Sequence, residues 1–170
     1  METIAVYCEP VIKTYGFLVK TGLSLMRISY PADQMTAWGE RIQKSDLKSG
    51  CLLMAVGHAF DGKRIHLSLL FENSTIDGDK NNLETLLKKE PRTSLHVDNP
   101  VELIYFQGPH YGDRYGIADA AFRPFTKKML TILACGCTGA SIYIVVPENK
   151  AQIAVNLLSE KFAVPCAQGN

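Results

Sequence analysis

One order of elements runs through this chain twice, and it limits the fold more than any other feature of the sequence. Apolar alternation predicts strands over residues 12–18 and 23–29, separated by a turn at Lys20-Thr21-Gly22. Pro31 and Asp33 then open a helix over residues 32–44, with Met35, Trp38 and Ile42 at helical spacing, and Ser49-Gly50 closes it. Residues 51–59 and 64–71 form two more strands around Asp61-Gly62, a pair suited to a tight hairpin because most side chains resist its positive φ angles. A polar loop follows over residues 72–80, and Leu83, Leu86 and Leu87 mark a short amphipathic helix that stops before Pro91. The same order then returns: a strand over 101–107, a helical stretch over 116–129, a hairpin of 132–137 and 140–146, and an amphipathic helix over 150–162. Ile153, Val155, Leu157, Leu158 and Phe162 supply the buried side of that last helix, and an extra strand over residues 3–8 leads the chain.

A small sheet with its two helices on one face is how such a set of elements hides its apolar surface. The expected fold class is therefore α+β: two tandem ferredoxin-like βαββαβ sandwiches, one over residues 1–95 with the leading strands and one over 96–170. The second unit lacks an obvious closing strand, because little follows Phe162 except Ala-Val-Pro-Cys and a polar tail. One of the early strands, 3–8 or 12–18, is expected to complete that sheet. At 170 residues and 46% hydrophobic content, the chain can bury cores of this size.

Composition excludes several classes. The longest apolar runs, 140–146 and 51–56, fall far short of the roughly 20 residues of a membrane span, and no basic-then-apolar signal opens the chain. No membrane association is expected, and the cytoplasm is the default location. Five cysteines at scattered spacing argue for reduced thiols over a disulfide framework. The net charge of +1 comes from interspersed signs, so no wide basic field exists to hold nucleic acid. RNA-recognition modules share the βαββαβ order, yet the strands LSLMRIS, IHLSLLF, VELIYFQ and ASIYIVV carry no basic-Gly-aromatic series for base stacking, and Lys13-Thr14-Tyr15-Gly16-Phe17 is only a superficial echo. His58, His66, His96 and His110 fall at no helical ligand spacing, and Cys135-Gly136-Cys137 is a lone C-x-C, short of the four-ligand sets of zinc sites. There is no G-x-S-x-G elbow, no Lys-Ser/Thr ending to a glycine loop, and no paired carboxylates. No catalytic residue, metal or cofactor is expected, and an enzyme on this fold is kept as an alternative.

The stretch QGPHYGDRYGIADAAF, residues 107–122, is the richest in candidate chemistry. Gly108, Gly112 and Gly116 are interleaved with His110, Asp113 and Arg114 at the junction of a strand and a helix. The first turn of that helix, Gly116-Ile117-Ala118, exposes unpaired N–H groups, where an anion gains about 0.3–1 kcal/mol from the helix dipole. Asp113 offers a carboxylate to an ammonium, and Arg114 can pair with Asp113 or Asp119. A ligand with both charges, a free amino acid, suits this pattern.

Gly108-x-x-Tyr111-x-x-x-x-Gly116-Ile117-Ala118-x-x-x-Phe122 resembles the loop and first helix of the ACT domain family, above all the second ACT unit in the regulatory region of aspartate kinases. The likeness continues through residues 132–146. It extends back to Ile12-Lys-Thr-Tyr-Gly-Phe-Leu before Leu23-Ser-Leu-Met-Arg-Ile-Ser, and to Leu95-His-Val-Asp98 between the units. It covers about Ile12 to Phe162, with no kinase segment ahead of it. The resemblance implies a non-catalytic regulatory protein that binds lysine, threonine or a similar small amino acid where ACT units of two chains meet, a homodimer, and a partner enzyme that reads the ligand; a ligand-independent scaffolding subunit is the alternative. It also implies ligand contacts at His110, Tyr111, Gly112, Asp113, Arg114, Tyr115, Gly116, Ile117 and Ala118, and at the hairpin residues Cys137, Thr138 and Gly139. The sequence departs from the family pattern at three places. The matching first-unit loop, SYPADQMTAWGERI, has no glycine at its helix start, Pro124 sits inside the second unit's helix, and Lys127-Lys128-Met129 replaces a small residue and glycine at its end. One competent site type per chain, in the second unit, is expected.

Overall fold

The turn expected at Lys20-Thr21-Gly22 does not form. In the computed structural model of the chain, which describes residues 11–44, 50–73 and 92–164, one strand, β2 (Phe17–Pro31), runs straight through it. Gly22 takes up the local bend at φ 67°, a conformation other residues resist. A two-residue β1 (Ile12–Lys13) precedes β2, and a 3-10 turn (Ala32–Gln34) leads into α1 (Met35–Lys44). β3 (Cys51–His58), β4 (Arg64–Glu72) and β5 (Ser94–Gln107) follow, then α2 (Ile117–Lys127), β6 (Ala134–Thr138), β7 (Ser141–Pro147), α3 (Ala151–Ser159) and β8 (Phe162–Ala163). The fold class is α+β with mostly antiparallel pairing. The expected strand over residues 3–8, the polar loop over most of its length and the helix around Leu83, Leu86 and Leu87 lie outside the described residues.

Contacts divide the chain into a unit of Gly22–Val101 and a unit of Met1–Thr21 with Glu102–Asn170. The sequence reading divides it at residue 95, which falls inside β5, and groups the leading residues with the earlier unit. The long strands β2 and β5 each cross from one unit to the other within a single strand, β2 at Gly22 and β5 just after Pro100.

In the Gly22–Val101 unit the strand order is β3-β4-β2-β5. The register sets Met26 opposite Leu69, Ile28 opposite Leu67 and Tyr30 opposite Ile65. Residues directly opposite share a face, and this row forms the core under α1 with Phe71 and the fully buried Trp38. The Trp38 ring stacks on Tyr30 at 5.2 Å. β3 and β4 are joined by a loop that Ala59 N–H closes on the Arg64 carbonyl, with Gly62 at φ 67° as the Asp-Gly pair predicts.

In the other unit β5, β7 and β6 lie side by side in that order, and β6 ends the row. Ile104, Phe106, Ile142, Ile144 and Val146 meet Ala121 and Phe125 of α2 and Ala154 and Leu158 of α3. The last helix is shorter than the sequence reading. It stops at Ser159, Ala151 and Ala154 take buried positions, and Ile153 is half exposed. Phe162 is buried, but from β8, which pairs in parallel with β1 through Ile12 and Phe162. The leading segment therefore does not complete the main sheet through β1, which forms its own two-stranded ladder with β8. Tyr15 N–H then donates to the Gln107 carbonyl (2.9 Å), fastening the segment to the end of β5.

Two details set helix ends in this unit. The buried Glu102 carboxylate accepts from the N–H groups of Lys150 (3.0 Å) and Ala151 (2.7 Å), so a strand side chain caps α3. Pro124 lies inside α2 without breaking it. Lys128 N–H donates to the Pro124 carbonyl and Leu130 N–H reaches back to the Phe125 carbonyl, with Met129 at φ 53° in the left-handed position glycine ordinarily fills. No helix among the described residues is long and apolar enough to cross a membrane.

Candidate functional site

β5 ends at Gln107, and the next residue decides where the loop goes. A Cβ on Gly108 would collide with the Lys13 carbonyl oxygen and the Tyr111 ring, so only glycine lets the chain pass between them. Gly108 N–H donates to the Ala140 carbonyl (3.2 Å), which draws the start of the loop against the β6–β7 hairpin. That hairpin is a two-residue connection between the paired Thr138 and Ser141, with Gly139 at φ 53°. Further along, a Cβ on Gly112 would lie 4.0 Å from the Gly139 carbonyl, an ordinary contact distance. Residues far apart in sequence, the loop at 108–116 and the hairpin at 138–140, are thereby neighbours.

The aromatic ring of the loop has turned inward. Tyr111 is 5% exposed and packs edge-on against Phe106 (6.4 Å) and Phe162 (5.9 Å). Its hydroxyl has no hydrogen-bond partner. Burial raises the phenol above its ordinary pKa, and the nearby Thr14 hydroxyl acts weakly in the opposite direction. The Thr14 hydroxyl donates its own proton to the Gln107 carbonyl at 2.8 Å, and its oxygen does not meet the geometry of a bond from Tyr111. Ile117 is buried as well, so Tyr111 and Ile117 are the anchors of the loop.

The remaining candidates face outward. His110, at φ 61°, and Asp113 form a turn in which Asp113 N–H donates to the His110 carbonyl (3.2 Å) and the His110 Nδ1 lies 3.6 Å from the Asp113 carboxylate. The Arg114 guanidinium reaches the Val11 carbonyl at 3.5 Å, while Asp119 is held by Arg123 at 2.9 Å, one turn along α2. Tyr115 is 90% exposed. Gly116 caps α2 in the left-handed region (φ 83°), and no side chain closes that helix end. Gly112, Ala118, Cys137, Thr138 and Gly139 are exposed. Partial burial pushes the Cys135 thiol up, and partial burial together with the neighbouring Cys135 does the same to Cys137.

Thr14, fully buried, and the Ala140 carbonyl position this loop, and neither was visible in the sequence. Their partners lie in a segment 93 residues away and in a backbone atom, for which residue type carries no signal. A separate groove of about 380 Å³ lies between α2 and α3, lined by Arg123, Lys127, Lys128, Lys161, Leu157 and Glu160. It is built from other residues than the loop and hairpin.

No protein-family model and no curated protein sequence matches the chain. Solved structures do. The regulatory subunit of aspartate kinase from Thermus flavus superposes with a TM-score of 0.74 at 12% identity, over 87% of this chain and 97% of that one. The ligand-free regulatory subunit of aspartate kinase from Thermus thermophilus gives 0.71 at 12% identity, over 91% and 100%. A putative C-terminal regulatory domain of aspartate kinase from Porphyromonas gingivalis W83 gives 0.61 at 13% identity, over 86% and 95%. Superposition over most of both chains at so low an identity marks shared architecture. The chain has the fold of aspartate kinase regulatory subunits.

Proposed function

We propose that this chain is a regulatory, non-catalytic protein built of two tandem ACT-like βαββαβ units, and that it binds a small free amino acid such as lysine or threonine at the start of α2. The carboxylate sits on the N–H groups of Gly116, Ile117 and Ala118, and Asp113 and the hairpin residues Thr138 and Gly139 surround the ammonium end. Two copies meet at this site, and ligand favours one arrangement of the units, which a partner enzyme reads as a change in its own equilibrium. One observation carries the reading: the α2 N-terminus has no side-chain cap, and the loop that leads into it is bonded at Gly108 to the Ala140 carbonyl of the β6–β7 hairpin.

The test is thermal unfolding of the whole chain with each common amino acid in turn. A ligand at a hundred times its Kd adds about 2.7 kcal/mol, which raises Tm by roughly 5–10 °C for a chain of this length. Gly116→Val should abolish the shift, and Gly116→Asn, which tolerates the left-handed region, separates a lost site from a lost fold. Silence across the whole panel contradicts the proposal.

A further inference from the structure

We propose that Cys135 and Cys137 together bind one soft, two-coordinate cation of the Cu(I) class. The proposal goes beyond the amino-acid site and does not rest on it. Both cysteines are free and exposed, and both lie on β6, the last strand of its row. Their register partners are Ile144 and Ile142, two buried residues of the core, so both thiols stand on one face of the sheet. Gly136 between them faces the other way, where the Tyr143 ring lies across it and would collide with any Cβ. Nothing on their own strand separates the two sulfurs.

Distance decides what such a pair can do. Residues i and i+2 of a strand are about 6.7 Å apart. A disulfide needs Cβ atoms about 3.5–4.5 Å apart, so this pair cannot oxidise on itself while the strand stays paired. Bridging by a metal requires only that the sulfurs lean to roughly 4.6 Å, twice a metal–thiolate bond of about 2.3 Å. Among the described residues no third His, Cys, Asp or Glu joins them to form a larger ligand set. Zinc, which takes four ligands, would keep half its sphere in water, whereas a soft d¹⁰ ion that prefers thiolate and accepts two ligands is fully served. On binding, two S–H bonds break, two S–metal bonds form and two protons leave to solvent. No electron changes hands, because the cation arrives as Cu(I).

The experiment uses the full chain with Cys8, Cys51 and Cys166 changed to Ser, titrated anaerobically with Cu(I) held by bicinchoninate. One Cu(I) per chain is expected, and adding Cys135→Ser or Cys137→Ser should weaken uptake at least about 100-fold, because the second arm of a chelate acts at high effective concentration. Uptake that survives either change, or a parent that takes up no Cu(I), overturns the proposal. Should the parent variant fail to fold, the unmodified chain gives the same answer by mass spectrometry: one equivalent of Cu(I) should protect Cys135 and Cys137 together from iodoacetamide. Protection of neither, or of one alone, overturns it. An amino-acid response retained in the Cys135→Ser chain keeps the two proposals separate.

Discussion

Replacing Tyr111 by Phe tests whether this residue is an anchor of the core or a hand of the binding site. The ring is almost wholly buried against Phe106 and Phe162, and its hydroxyl ends among protein atoms without a partner. An unsatisfied buried hydroxyl costs about 1–3 kcal/mol in lost hydration, and Phe keeps the ring contacts while removing that group. The expected gain is about 1–2 kcal/mol, read as a Tm increase of roughly 2–8 °C by circular dichroism at pH 7. A second reading comes from alkaline pH. The folded-state phenol titrates above its ordinary value, so its contribution is whole below about pH 10, where the unfolded phenol titrates, and is lost as pH rises through the folded value. The parent should therefore lose more stability above pH 10 than Tyr111→Phe does. A destabilisation of 1 kcal/mol or more at pH 7 would refute the argument, because it would mean the hydroxyl is bonded, with Thr14 the nearest candidate.

Gly108→Ala should destabilise the chain by about 2–4 kcal/mol in denaturant unfolding, since a methyl there meets backbone and a packed ring that cannot both yield. Gly112→Ala should stay within about 0.5 kcal/mol of the parent, its methyl having only the Gly139 carbonyl for company, and should weaken any amino-acid response by filling the space between loop and hairpin. Glu102→Ala should cost about 1–3 kcal/mol, because it leaves two N–H groups at the start of α3 without their acceptor. Hydrogen exchange should then rise first at Lys150 and Ala151, and unchanged exchange there would contradict the capping role.

Most of the architecture was legible because it rests on periodicity. Met26, Ile28 and Tyr30 alternate as a half-buried strand must, and Trp38 and Ile42 fall on one side of α1. The errors fall where a local signal competed with tertiary pairing. Lys20-Thr21-Gly22 has turn chemistry, yet β4 pairs with β2 from Leu23 onward and the glycine serves as a bend within a strand. Leu158 and Phe162 are four apart and look like one helical face, yet Lys161 N–H closes on the Leu158 carbonyl and frees Phe162 to pair with Ile12. At the site, glycine spacing pointed to the loop because Gly108 and Gly116 are needed for backbone reasons that sequence displays. What it could not display was direction: Tyr111 and Tyr115 look alike in the sequence, and one is in the core while the other is in solvent.

The central claim is that the open N-terminus of α2 receives an amino acid's carboxylate. Amide resonances of the ¹⁵N-labelled chain, followed through a titration with the amino acid that raises Tm most, test it directly. The account predicts that the largest shifts fall on Gly116, Ile117 and Ala118, with Gly112 and Gly139 next. Shifts confined to Lys127, Lys128 and Lys161 in the groove between α2 and α3, with the α2 N-terminus unmoved, would contradict it.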